Sequence, residues 1–376
     1  MKPKLRFVDS ELEKIKQNHL YRKLKYGTTN GAIITIQQKN RINLCSNDYL
    51  GIPPLNMELK QMQSSSRLVS GNDESFQGLE KKLAKHKSQE ASLIFPTGYM
   101  ANLGAIPAIA KKGDLILSDE LNHASIIESC KLSGAKISIY KHNNMADLLS
   151  KLKSNKKNKF IVSEGIFSMD GDFSKLKEIT DIATKTGAIT ILDDAHGDFV
   201  VGKDGKGTGS YFGVSKKIDL YISSLSKGLG SFGGYISSQK NVIDLCVNKS
   251  KAFIYTSALP SFLVEYSLRR FDSNREKYQK KLQTNTKLLV KGLKEIGYSI
   301  NSKTHIIPII IGDEKTAMDF GQYLSKNGVY AQPIRYPTVP KNKARLRISV
   351  TAWLSHKDIG NSLEVFDRAY KKFMKF

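Results

Sequence analysis

The sequence predicts an α/β fold, with a mostly parallel sheet covered by helices in a large domain and a smaller α+β domain after it. Three observations carry this expectation. Short apolar segments recur at residues 91–95, 115–117, 137–140, 160–163, 188–192, 220–223 and 235–237, with helical spacing between them, as at 175–186. Seven such strands alternating with helices imply a largely parallel sheet. Two of the strands run into polar, chemically loaded segments, and open α/β sheets bind ligands outside the carboxyl ends of their strands. After Pro260 the alternation gives way to long polar helical stretches around short strands. The expected division is an N-terminal helix and hairpin (1–45), a large domain (46–260) and a small domain (261–376).

Residues 9–26 are expected to form an amphipathic helix with Leu12, Ile15 and Leu20 on one side, followed by a hairpin of 33–36 and 41–44. SNDYLG (46–51) reads as a polar turn in which Asn47 and Asp48 cap the next segment. Residues 64–80 are a loop leading into a helix, where Leu79 and Leu83 open the apolar stripe. After the strand at 91–95, Pro96-Thr97-Gly98-Tyr99 enters an apolar helix reaching Ala110. A glycine turn at a helix start offers free N–H groups to a phosphate, although any strand-to-helix turn has this form. His123, in DELNHAS (119–125), falls near the strand ends, and alone it reads more readily as a helix-start residue than as a cofactor contact. In the small domain, 261–296 is expected to be helical, 306–311 a strand, 316–327 a helix, 345–350 a strand and 356–373 the last helix.

The most informative stretch is YISSLSKGLGSFGG (221–234). An apolar strand end is followed by small hydroxylated residues, then Lys227, then a glycine-rich exit that lets the backbone turn sharply. A lysine with small neighbours can sit desolvated in a pocket, where its amine forms a Schiff base. The plain alternative is a flexible Ser/Gly loop with one solvated lysine. Upstream, AITILDDAH (188–196) is an apolar strand ending in two carboxylates and a histidine. Pyridoxal phosphate enzymes pair the ring nitrogen with an acid and the aldehyde with a lysine, and Asp193 and Lys227 fit those roles.

Composition narrows the class. The chain has 376 residues and a formal net charge of +24, and Cys45, Cys130 and Cys246 are its only cysteines. Those cysteines are too few and too widely spaced for a disulfide framework or zinc-ligand spacing, so no metal is expected and a reducing cytoplasm is the simplest location. No apolar run approaches the ~20 residues of a membrane span, and the charged N-terminus lacks a secretory core. The basic residues are mostly dispersed lysines, densest in KLKSNKKNK (151–159), which reads as a solvated loop or helix end. No nucleic-acid-binding signature accompanies them, and a general positive field suits an anionic substrate such as an acyl-CoA.

With SNDYLG, SRLVSGN (66–72), GIFSMDGD (165–172), DDAH (193–196), LSKGLGSFGG (225–234), YPTVP (336–340) and RLRISVTA (345–352) in order, nearly the whole chain resembles the α-oxoamine synthases. These are pyridoxal-phosphate enzymes of the aspartate-aminotransferase type, fold type I. The resemblance implies that Lys227 carries the cofactor as a Schiff base and that Asp193 keeps its pyridine nitrogen protonated. His196 and Ser168 would contact the ring hydroxyl side, and His123 would stack on the ring face. Gly98, Tyr99 and Ser224 would hold the phosphate, joined by Thr256 from a neighbouring subunit, so a homodimer is implied. Arg347 matches the arginine that grips the amino-acid carboxylate, with Asn47, Arg22 and Thr338 on the substrate side.

Within the family, SRLVSGN and the VTA after RLRIS look closest to the biotin-pathway branch, which condenses L-alanine with pimeloyl-CoA or a pimeloyl-carrier protein and releases CO2. Glycine C-acetyltransferase is the alternative, with 5-aminolevulinate synthase and serine palmitoyltransferase further off. Two positions depart from the family pattern: Phe76 stands where a histidine is common, and Ser64-Ser65-Ser66 where relatives are glycine-rich.

Overall fold

The computed structural model describes residues 3–18, 20–58, 64–153 and 156–374. His19, inside the helix expected at 9–26, and Ser154 and Asn155, inside the basic run 151–159, lie outside the described residues. The chain forms two compact units: Asn47–Ser168 with Asp172–Lys281, and Met1–Ser46 with Met169–Gly171 and Leu282–Phe376.

The smaller unit opens with helix α1 (Arg6–Gln17) and strands β1 (Gly27–Asn30), β2 (Ile33–Ile36) and β3 (Lys39–Asn43). The helix is shorter than its amphipathic spacing predicts. None of its side chains is buried, so packing does not extend it, and Asn18 ends it by returning its side-chain amide to the Lys14 carbonyl at 2.7 Å. The strand β1 departs from the sequence expectation; GTTN is polar and exposed and shows no apolar alternation.

The larger unit runs through α2 (Glu74–Lys87), β4 (Ala91–Phe95), α3 (Gly98–Ile109), β5 (Leu115–Asp119), α4 (Ala124–Ser133), β6 (Lys136–Tyr140) and α5 (Met145–Lys151). It continues through β7 (Lys159–Glu164), α6 (Leu176–Thr186), β8 (Ile189–Asp193), α7 (Thr208–Tyr211), β9 (Leu220–Ser224), β10 (Gly234–Ser238), α8 (Lys240–Lys249), α9 (Lys251–Ile254) and α10 (Ser261–Phe271). All seven expected strands form one sheet in the order β4-β10-β9-β8-β7-β5-β6. Strands β6, β5, β7, β8 and β9 pair in parallel, and β10 runs antiparallel to both neighbours.

Period-2 alternation decides which helix each strand residue meets. Ile116, Phe160, Val162, Ile191 and Ile222 pack with Ala105, Ile126, Ile243 and Phe253 on one face. Leu115, Leu117 and Ile161 pack with Leu148, Ile179 and Ala183 on the other. Helix α3 lies unusually close to its neighbours because it carries Gly104: a Cβ there would come within 2.5 Å of Phe95 and of Ser250.

The chain then enters α11 (Glu276–Ile296), followed by β11 (Ile306–Gly312), α12 (Glu314–Lys326), β12 (Val329–Tyr330), β13 (Gln332–Ile334), β14 (Ala344–Ser349) and α13 (His356–Phe373). The single helix expected at 261–296 is two, because the intervening Asp272-Ser273-Asn274 favours turns over helix; Ser273 Oγ donates to the Arg270 carbonyl at 2.7 Å.

The unit boundaries also differ from the sequence expectation, for two reasons. Residues 1–46 are not a separate segment, since β3 pairs in parallel with β12 and Ser349 N–H donates to the Leu44 carbonyl at 2.8 Å. Residues 261–281 stay with the larger unit: Arg270 is buried, and its guanidinium donates to the carbonyls of Leu229 at 2.7 Å and Ile52 at 3.0 Å.

One ionic cluster is fully enclosed in the larger unit. Lys87 Nζ, at the end of α2, lies 2.9 Å from Asp194 Oδ2 and 2.6 Å from Asp198 Oδ1, with all three side chains shut from solvent. Burial works against the ammonium, but the two carboxylates hold its pKa above the ordinary lysine value. Removing one partner from a buried pair leaves uncompensated charge. Lys87→Met is therefore expected to cost about 3–5 kcal/mol, read as a lower urea midpoint at unchanged m-value.

Candidate active site

A cavity of about 220 Å³ opens where β7, β8 and β9 end and α3 begins. Gly98, Tyr99, His123, Asp193, His196, Ser224 and Lys227, all singled out from the sequence, line it together. Parallel register brings this about, since Glu164 pairs with Asp193 and Asp193 with Ile222, so the strand ends lie side by side.

At the α3 end, Thr97 caps the helix, its hydroxyl accepting from Met100 N–H at 3.1 Å. The helix start lies against β9 and β10 with little room. A Cβ on Gly98 would meet Ser224 Cβ at 3.0 Å, and one on Gly234 would meet Gly98 N at 2.4 Å. Ser224 Oγ stands beside this opening, 2.8 Å from Ser226 Oγ. Backbone N–H groups and hydroxyls converging on a helix start suit a phosphate. The residues present therefore fit the phosphate end of the expected cofactor.

Across the cavity floor, Asp193 is fixed through both oxygens. Asn102 Nδ2 donates to Oδ2 at 2.7 Å, and Ala195 N–H donates to Oδ1 at 3.0 Å. The same Asn102 amide reaches Ser125 Oγ at 3.0 Å. His123 Nδ1 lies 2.8 Å from Ser125 Oγ and accepts from Ser125 N–H at 3.2 Å. With Nδ1 an acceptor, a neutral ring carries its proton on Nε2. Partial burial and the nearby Lys227 lower the His123 pKa against the pull of Asp193, which favours that neutral ring.

Lys227 follows β9 in a tight hairpin, where Leu225 N–H donates to the Gly233 carbonyl at 3.0 Å. Gly230 has φ of +65°, and a Cβ there would strike Arg270 and Asp48 at 2.5 Å. Lys227 Nζ lies 3.0 Å from His196 Nε2, and His196 Nδ1 lies 2.6 Å from the Tyr49 hydroxyl. That hydroxyl in turn donates to Asn47 Oδ1 at 3.0 Å. One assignment satisfies the whole row: Lys227 donates to Nε2, Nδ1–H donates to Tyr49, and Tyr49 donates to Asn47.

The remaining expected residues are not among those lining this cavity. Ser168 is buried just beyond β7. Thr256 is half-buried between α9 and α10. Arg347, Arg22 and Thr338 belong to the smaller unit: Arg347 is buried on β14 with Nη1 donating to Ser349 Oγ at 2.7 Å, whereas Arg22 and Thr338 are exposed. Sequence reasoning missed Asn102, Ser125 and Glu164, which also line the cavity, and the part played by Tyr49. The available signals were single polar residues within apolar segments, which periodicity treats as noise.

The walls of the cavity are tied together by His142. Its Nδ1 lies 2.9 Å from Asp119 Oδ1 and its Nε2 2.9 Å from Asp172 Oδ2, and its ring meets Phe167 edge-on at 4.4 Å. This joins the loop before His123 to the segment around Ser168. Burial opposes the charged ring, but hydrogen bonds to the two carboxylates raise its pKa to about 10.

A family model described as aminotransferase class I and II matches residues 39–366. The chain is 40% identical to an 8-amino-7-oxononanoate synthase of Thermoanaerobacter pseudethanolicus, covering 98% of each chain. It is 38% identical to one of Treponema denticola, over 98% of this chain and 95% of that one. Among solved structures, a serine palmitoyltransferase of S. paucimobilis with a bound PLP–myriocin aldimine superposes with TM-score 0.91 at 26% identity, over 99% of this chain and 98% of that one. An 8-amino-7-oxononanoate synthase of Francisella tularensis superposes with TM-score 0.77 at 26% identity, over 89% and 99%. The chain belongs to the aminotransferase class I and II family and has its fold type I architecture. Within that family it belongs with the 8-amino-7-oxononanoate synthases.

The His142 clamp predicts a pH dependence of stability. A folded pKa raised above the unfolded value of about 6.5 means the folded state holds the proton more tightly. Its contribution is complete below about pH 6.5 and is lost as pH rises through about 10. His142→Gln is expected to remove about 2 kcal/mol at pH 6 and to flatten the decline between pH 7 and 10, measured by urea unfolding across that range.

Proposed function

We propose that the chain catalyses the decarboxylative condensation of L-alanine with a pimeloyl thioester, giving 8-amino-7-oxononanoate, CO2 and free thiol, with pyridoxal 5′-phosphate as its resident cofactor. The observation that carries this reading is one cavity in which Lys227 and Asp193 stand at the ends of adjacent parallel strands. Membership among the 8-amino-7-oxononanoate synthases supports the choice of substrates. When bound, pyridoxal phosphate supplies an aldehyde for a lysine amine and a ring that takes up the charge of a carbanion.

Each side chain then has a task. Asp193, held through both oxygens, keeps a proton on the pyridine nitrogen, while His123 presents its ring face as a stacking wall. Gly98, Tyr99 and Ser224 hold the phosphate, joined by Thr256 from a second copy in a homodimer. Ser168 contacts the ring hydroxyl side together with His196. Lys227, once its amine is free, takes the proton from the alanine Cα, and its hydrogen bond to His196 keeps Nζ aimed. Arg347 offers a bidentate grip to the alanine carboxylate, with Asn47, Arg22 and Thr338 as substrate-side contacts. Among the described residues no helix is long and apolar enough to cross a membrane, and the cytoplasm is the proposed location.

The overlay with serine palmitoyltransferase is tighter than that with the Francisella structure, so the choice of amino acid is what needs testing. Purified protein should release thiol from pimeloyl-CoA with alanine, and far less with glycine or serine. Release only with glycine, and faster from acetyl-CoA, would move the chain to the glycine C-acetyltransferase branch; serine with a long acyl-CoA would move it to the palmitoyltransferases. Lys227→Ala should still take up pyridoxal phosphate loosely, lose the lysine-dependent absorbance band and lose turnover by about 10³-fold or more. Normal turnover in that variant would remove Lys227 from its role.

A further inference from the structure

Glu164, the last residue of β7, is a buried acid for which the proposed chemistry has so far given no task. It lines the same cavity as Lys227 and Asp193 and is 2% exposed. In the parallel pairing of β7 with β8 it stands opposite Asp193. Its carboxyl group is reached by the backbone N–H groups of His123 and Ser168, and its own N–H donates to Asn122 Oδ1 at 3.2 Å. Its Oε1, although enclosed, has no hydrogen-bond partner among the described residues.

Two buried carboxylates side by side do not both ionise readily. Asp193 has donors on both oxygens, Asn102 Nδ2 and Ala195 N–H, whereas Glu164 has an oxygen left over. The unpartnered Oε1 leaves Glu164 as the acid placed to keep a proton. An uncharged carboxyl group has one O–H to donate and retains acceptor capacity.

We infer that Glu164 is a positioning residue of this site: as a neutral acid it fixes the two segments bearing His123 and Ser168 through their backbone N–H groups, and it turns its remaining oxygen toward the cavity as a hydrogen-bonding group for a polar atom of the occupant. Burial first, and then the charge of Asp193, raise its pKa well above the carboxylate range, against the pull of Lys227. The charged or titratable side chains around it are thus Asp193, Lys227 and His123. The residue sits immediately before the GIFSMDGD motif, so its spacing ties it to Ser168.

This inference rests on the pyridoxal phosphate reading, and the test separates the two. Cofactor affinity would be measured by titrating pyridoxal phosphate into cofactor-free wild type, Glu164→Leu and Glu164→Gln. The pH midpoint of the bound cofactor's absorbance would be followed in parallel, with thermal midpoints of the cofactor-free proteins. Glu164→Leu should weaken binding by about tenfold or more and lower the thermal midpoint without cofactor. Glu164→Gln, which keeps an acceptor and a donor without charge, should restore affinity to within about threefold and leave the pH midpoint in place. A Gln variant whose midpoint moves by about one unit or more would mean that Glu164 is ionised, overturning the inference even if the Leu variant fails to fold. Wild-type affinity in Glu164→Leu would overturn it as well. Failure of the wild type to bind pyridoxal phosphate would overturn the cofactor reading, and this inference with it.

Discussion

Three carboxylates buried within one short turn, Asp193, Asp194 and Asp198, set the demand that much of the larger unit answers. Each is answered from a different part of the chain. Asp193 takes Asn102 from α3. Asp194 takes Lys87 from α2 and the Thr208 hydroxyl at 2.7 Å. Asp198 takes His86, Lys87, the Ser223 hydroxyl at 2.8 Å and the Tyr235 hydroxyl. A buried charge is costly unless paired and hydrogen-bonded, so the turn holds its shape only when α2, α3, β9 and β10 are all seated. Asp193 owes its placement to this surrounding ring of partners, as well as to the strand it ends.

The same logic runs through the cavity walls. His142 bridges Asp119 and Asp172, Asn122 bridges the Ser118 hydroxyl and the Val162 carbonyl at 2.9 Å each, and Tyr49 links Asn47 to His196. Every one of these side chains stands near a strand end and spans two segments. Apolar packing between the sheet and its helices fixes the layers, but it is indifferent to small rotations of a loop. Directional polar contacts remove that freedom, which is what a site built from separate strand ends requires.

How much of this was legible depends on what leaves a periodic trace. All seven strands of the large sheet show in the sequence as apolar segments; six are almost wholly buried, and strands buried on both faces carry few polar interruptions, while the edge strand β6 is only partly buried. The last helix, from His356 to Phe373, is likewise legible, and in the structure a capping box of Ser355 and Asp358 fixes its start. The N-terminal helix reads too long in the sequence because amphipathic spacing continues past Asn18 although nothing buries it. Lys227, Asp193, His196 and His123 could be picked out because motifs flank them, and the strand register gathers them in one cavity. Asn102 and Glu164 could not: one is a single amide in an apolar helix, the other a single acid at the end of an apolar strand. Their importance lies in who their neighbours are across the sheet, and neighbours of that kind are absent from a one-dimensional pattern.

The antiparallel strand β10 has a consequence for how the molecule comes to exist. Strand β4, which leads into the helix start beside the cavity, pairs within the sheet only with β10, matching Phe95 to Gly234 far along the chain. Contacts so distant in sequence are entropically late to form. During synthesis, the strands from β5 to β9 can assemble in the order they emerge, while β4 and the start of α3 wait for the hairpin that carries Lys227. The hairpin that carries Lys227 therefore also supplies the partner strand of β4, so Lys227 and the helix start at Gly98 reach their places together.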